Sequence, residues 1–95
     1  MLSVLLFFAK ILNLALTAAE QAFMEALGKR IVALRKQKGI KQFELAIDLN
    51  VPDSALRLVE KGKTNPTTKT LLRIANALEV PIEEMVKVVK VNQEA

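Results

Sequence analysis

The stretch "NVPDSALRLVEKGK", Asn50 to Lys63, holds the side chains of this sequence best suited to recognition chemistry. Arg57 can place two parallel hydrogen bonds on a guanine edge, and it is the only residue from Asp53 to Glu60 able to do so. Ser54 can bond a base or a phosphate oxygen, with little selectivity. Asp53 carries a negative charge that phosphates repel, although at a helix start it can cap backbone amides instead. Leu58 is apolar, and suits either a thymine methyl or a partner protein. Glutamine and asparagine, the usual readers of adenine, are absent between Asp53 and Glu60. Such a set fits contact with a duplex dominated by phosphates, with modest base reading supplemented by DNA shape.

Other chemistry is poorly supplied. The chain has no histidine and no cysteine. It therefore lacks the commonest general base, the commonest neutral metal ligand and any thiolate. Its three glycines are not spaced as a phosphate-cradling loop. No catalytic residue, metal ligand or cofactor site can be assigned, and the inventory argues against an enzyme.

Charge points the same way as Arg57. The formal net charge is +4, and it is uneven. Residues 26–41 contain Lys29, Arg30, Arg35, Lys36, Lys38 and Lys41 and no acid. A one-sided basic stripe is the footprint of a polyanion partner, although a solvated helix face gives the same pattern.

Short helices must position these residues. Leu27, Ile31 and Leu34 fall at i, i+4, i+7 and predict a helix from Ala26 to Gln37, ended by Lys38-Gly39. Gln42 to Leu49 forms a second, with Leu45, Ala46 and Leu49 on one face, followed by Asn50, which tolerates positive φ. Asp53 to Glu60 forms a third, opened by Pro52 or Asp53 and closed by Lys61-Gly62, with Leu56 and Val59 inward. Thr67 or Thr68 caps a fourth running through Leu78, with Leu71, Ile74, Ala75 and Leu78 inward. Pro81 opens a fifth with Ile82, Met85, Val86 and Val89. The fold class is all-α: a five-helix domain over residues 24–91, an extra apolar helix over 1–23 and a frayed tail over 92–95.

From Gln42 to Glu60 the steric needs of a helix-turn-helix are met together. Ala46 is small where the helices meet, Asn50 sits in the turn, and Leu45, Leu49, Val51, Leu56 and Val59 supply apolar anchors. The segments "LGKRIVALRKQKGIKQFELA", "NVPDSALRLVEKGKTNPTTKTLLRIANALEV" and "PIEEM" resemble the phage-repressor and Cro-like helix-turn-helix domains of the XRE family. The resemblance covers Ala26 to about Val89. Its most specific pieces are Arg35, Q-x-x-L-A from Gln42 to Ala46, and Glu60 to Pro66.

That resemblance implies a lambda-repressor-like DNA-binding domain acting as a homodimer on a two-fold site. By position it assigns Gln42 to a phosphate and to bracing the third helix. It places Ser54 and Arg57 toward the major groove, and Lys61, Lys63 and Asn65 on the DNA backbone. It makes Arg35 and Glu60 an internal ion pair.

The leader "MLSVLLFFAKILNLALTAAEQAF" is nearly all apolar. It lacks the basic start of a secretory signal. As a membrane span it is marginal: residues 2–19 are just long enough, and Lys10 and Asn13 sit mid-span. On a helical projection Ser3, Lys10, Asn13, Thr17, Glu20 and Gln21 share one side with Leu6, Phe7 and Leu14, and the opposite face is wholly apolar. Such a face must cover the domain, pair with its twin, meet a partner protein or enter lipid. Self-association through Leu5, Phe8, Leu12 and Leu16 comes first in this reading. Met24 also begins an ordinary domain of this type. The chain is thus read as a cytoplasmic, nucleoid-associated homodimeric regulator of transcription. Its rivals are a protein-interaction module that has lost base reading and a membrane-associated regulator.

Overall fold

A computed structural model describes residues 2–87, apart from the side chain of Leu16. Five helices follow in order: α1 (Leu2–Gln37), α2 (Gln42–Leu49), α3 (Asp53–Glu60), α4 (Thr68–Ala77) and α5 (Ile82–Met85). No strand occurs among the described residues. Val89 and the tail 92–95 lie outside the described residues, and α5 itself stops at Met85.

The largest departure from the sequence reading is at the leader. No break separates it from the first domain helix; both belong to the 36-residue α1. The reason is local. No glycine or proline occurs before Gly28, and the junction Ala18-Ala19-Glu20-Gln21-Ala22 consists of strong helix formers. The compositional boundary at residue 24 therefore falls inside a helix. The leader also does not fold back over the domain. Leu5, Phe8 and Leu12 remain 65%, 61% and 61% exposed.

Beyond Phe23 the helices enclose one core. Leu27, Ile31 and Leu34 from α1 meet Leu45, Ala46 and Leu49 from α2, Leu56 and Val59 from α3, Ile74, Ala75 and Leu78 from α4, and Met85 from α5. Leu71, read as core, is half-buried and packs at its edge. Each buried leucine or isoleucine contributes roughly 1.5–3 kcal/mol by leaving water. That burial is what holds helices of eight residues, too short to persist alone.

The helices end alike. The amide of Lys63 bonds the Leu58 carbonyl at 2.9 Å and that of Gly62 bonds Val59 at 3.0 Å, closing α3 with two satisfied carbonyls. The same pair of bonds closes α2 through Val51 and Asn50, and α4 through Val80 and Glu79. Asn50 and Glu79 adopt the left-handed conformation at φ 56° and 57°. Asparagine takes it at modest cost, as the sequence implied; for Glu79 no such preference exists, and the motif imposes it.

Gly28 lies where α1 crosses the end of α3. A Cβ there would fall on the carbonyl oxygen of Glu60 and within 2.7 Å of that of Val59. Both are backbone atoms and cannot rotate away. Gly28→Ala should therefore destabilise the domain by about 1–2 kcal/mol, although alanine gains about 1 kcal/mol in helix propensity. Urea denaturation of the two proteins checks this; an unchanged or higher midpoint would show that α3 moves aside freely.

Candidate nucleic-acid interface

The turn between α2 and α3 aims the site. Ala46 is 1% exposed, which lets the two helices approach, and its carbonyl accepts the Val51 amide at 3.1 Å. Asn50 turns the chain, and Pro52 in extended backbone precedes the first residue of α3. Asp53 is that first residue, and its side chain makes no capping hydrogen bond. The suggestion that it caps the helix therefore gives way: a carboxylate in the first turn still favours the helix dipole, and it stays exposed.

One side of α3 is buried and the other is bare. Leu56, Val59 and Glu60 face inward, whereas Asp53, Ser54, Arg57 and Leu58 face water. Lys61, Lys63 and Asn65 continue the exposed surface into the following loop. Ser54, Arg57 and Lys61 follow at i, i+3 and i+7, one side of the helix. Arg57 forms no ion pair among the described residues, so its guanidinium is available. Leu58 is 45% exposed and edges a shallow apolar cleft of about 270 Å³, together with Val51, Ala55 and Pro66.

Behind this face stands a buried polar brace. Arg35 donates from Nε to Glu60 Oε2 at 2.8 Å and from Nη2 to Oε1 at 3.2 Å, a two-point pairing. Its third nitrogen, Nη1, bonds the Ile40 carbonyl at 2.9 Å. Gln42 donates from Nε2 to Glu60 Oε1 at 2.8 Å. Glu60 therefore ties α3 to both α1 and α2. Arg35 and Glu60 are each 8% exposed, and neither is available to a ligand. Gln42, half-buried, keeps one amide hydrogen and its carbonyl oxygen unspent on Glu60.

The basic stripe divides. Arg35 is internal, and Arg30 is drawn to α5, with Nη2 3.5 Å from Glu84 Oε2 and Nε bonded to the Glu84 carbonyl at 3.3 Å. Lys29, Lys36, Lys38 and Lys41 remain exposed. Composition gave no sign of this split, because it depends on which residues of α3 and α5 lie opposite. Sequence reasoning also passed over Phe43 and Ile47. They are 49% and 69% exposed, one turn apart on α2, and extend the surface beside Gln42.

Comparison with known proteins places the fold. The helix-turn-helix family model HTH_3 matches residues 31–85. The immunity repressor protein of Bacillus phage phi105 is 36% identical over 59 residues, which make up 62% of this chain. The chain spans only 41% of that repressor. An HTH-type transcriptional regulator of Sinorhizobium fredii, y4dJ, is also 36% identical over 59 residues, covering 62% of this chain and 77% of that one. Among solved structures, the restriction-modification controller protein C.AhdI of Aeromonas hydrophila superposes with a TM-score of 0.65 at 31% identity, over 67% of this chain and 97% of its own. The clp gene regulator ClgR of Corynebacterium glutamicum shares the fold, with a TM-score of 0.70 at 24% identity over 74% of each chain.

Proposed function

The chain belongs to the HTH_3 helix-turn-helix family, and from that premise we propose that it regulates transcription by binding duplex DNA as a homodimer in the cytoplasm. The relatives are regulators and a phage repressor, and no enzyme is among these matches. The single observation that carries the reading is the exposed face of α3, with Arg57 in no ion pair among the described residues and with Lys61, Lys63 and Asn65 exposed in the loop that follows. In this reading α3 enters the major groove. Arg57 reads a guanine, Ser54 adds a weak contact, and Gln42 bonds a phosphate with its remaining amide hydrogen. Lys61, Lys63 and Asn65 hold the sugar-phosphate backbone.

Dimerisation would use the leader face of Leu5, Phe8, Leu12 and Leu16, since paired helices bury such a stripe. A two-fold dimer reads a palindrome, and its half-site spacing gives the distance between the two α3 helices.

The test is selection of bound duplexes from a random pool at two salt concentrations. Enrichment of a palindrome is the expected result. Retention without enrichment, lost at the higher salt, would reduce the protein to a non-specific binder. No retention would favour a protein-interaction module, with Leu58 as its first surface to probe. Lys63→Gln should weaken binding to every sequence alike and lower the slope of log affinity against log salt by about 1. An unchanged slope would remove Lys63 from the phosphate contacts.

A further inference from the structure

The leader segment of α1 lies bare on all sides of the helix. Leu5, Phe8 and Leu12 lie on one side, and Leu6, Phe7 and Leu14 on the other, at 57%, 61% and 69% exposure. A second leader can cover only one of these sides, because two paired helices touch along a narrow seam. The folded domain covers neither. Ser3, Lys10, Asn13 and Thr17 interrupt the second side without making it polar; a helix with apolar side chains on both sides belongs inside a large core or a bilayer, and the enclosed core of this chain begins only near Phe23.

The dimensions fit a bilayer. Residues 2–19 in helix span about 27 Å, close to the roughly 30 Å of a hydrocarbon core. From Leu6 onward the backbone amides of the segment are within reach of helical partners, which leaves only those of the first turn, at the end of the segment, without one. Thr17 returns its hydroxyl to the Asn13 carbonyl at 2.9 Å, so it brings no unpaired donor. Lys10 is the one charge, offset by ten Leu, Ile, Val and Phe side chains in the same stretch. Past the segment, after Glu20 and Glu25, come Lys29, Arg30, Arg35, Lys36 and Lys38, basic residues of the kind that flank the cytoplasmic end of a span.

The continuity of α1 then fixes where the domain sits. Gln21 donates to the Gly62 carbonyl at 3.0 Å. A Cβ on Gly62 would come within 2.6 Å of Glu25 Cα, so the loop lies directly against this part of α1. Gln21 and Glu25 stand about 3 and 9 Å beyond Ala19 along the helix axis. The headgroup layer on each side of a bilayer is about 5–7 Å thick. We infer that Leu2–Ala19 crosses a lipid bilayer, and that insertion seats the Lys61–Asn65 loop among the headgroups, where it cannot hold a duplex. Membrane and DNA thus compete for one loop. The second half of this inference rests on the DNA-binding reading above; the first does not.

The experiment uses the full chain, purified in detergent and mixed with vesicles of phosphatidylethanolamine and phosphatidylglycerol. Flotation on a density gradient should carry the protein upward, and 1 M salt should not release it. Release by salt would show a merely electrostatic attachment and overturn insertion. Sedimentation as a lipid-free oligomer would overturn it in favour of self-association. The double variant Leu6→Glu, Leu14→Glu alters only the side away from the pairing face. It should lose flotation at least tenfold while remaining dimeric; flotation at the original level would overturn the crossing.

A labelled duplex completes the test. It should bind the vesicle-free protein and be absent from the floated fraction. A duplex floating in equal amount with the protein would overturn the seating of the loop. A duplex that fails to bind even without vesicles would instead count against DNA binding itself, leaving the flotation result to stand alone.

Discussion

Glu60→Ala is expected to cost the domain about 3–5 kcal/mol, a large part of the roughly 5–15 kcal/mol that holds a typical domain together. Arg35 is 8% exposed and gives two of its hydrogen bonds to Glu60. Removing the carboxylate leaves a buried guanidinium without a counter-charge. Ile40 supplies one carbonyl, which is not a counter-charge. Gln42 loses its partner as well, so α3 is released from α1 and α2 together.

The pair itself need not add net stability, because burying two charges costs nearly what their attraction returns. Arg35→Met with Glu60→Leu should therefore lie much closer to the wild type than Glu60→Ala alone. Urea midpoints at constant slope measure all three. If the single variant lost under 1 kcal/mol, the pair would be wetter than its burial indicates. The Glu60→Ala protein should also bind DNA poorly even where it stays folded, since the brace sets the angle of α3.

Arg57→Ala is expected to remove about 1–3 kcal/mol of discrimination at one base pair of each half-site while leaving the fold intact. Arg57 is exposed and has no ion pair among the described residues. Its loss should leave the urea midpoint within about 0.5 kcal/mol of the original. Repeating the duplex selection with the variant checks the reading. The enriched palindrome should degenerate at a guanine and keep its spacing. A palindrome with every position intact would remove Arg57 as the reader and leave DNA shape as the source of preference. Lys63→Gln gives the contrasting pattern of uniform weakening with unaltered preference.

Much of this molecule was legible along the chain because it rests on short-range rules. The bounds of α2 and α3 follow from Asn50, Pro52 and Gly62, residues whose backbone preferences act over one or two positions. The core followed from helical spacing, with Leu71 alone placed too deep. The exposed face of α3 followed from the same spacing read from the other side. The ion pair of Arg35 and Glu60 came from family resemblance, since no spacing rule joins residues 25 positions apart.

What the sequence by itself determined was the set of helices, the turn that joins α2 to α3, and the lack of histidine and cysteine that leaves recognition as the available chemistry. Tertiary structure decided which charges are free. Arg30 and Arg35 look like Lys29 and Lys36 in a charge count, yet packing against α5 and α3 commits the first two and leaves the others in water. It also decided that Gly28 and Gly62 are contacts as well as chain features, because only the assembled fold brings the Glu60 carbonyl and Glu25 against them. The leader shows the division most clearly. Its apolarity was plain from the residues. That α1 meets the Lys61–Asn65 loop through Gln21 depends on a contact 41 positions apart, which no local rule specifies.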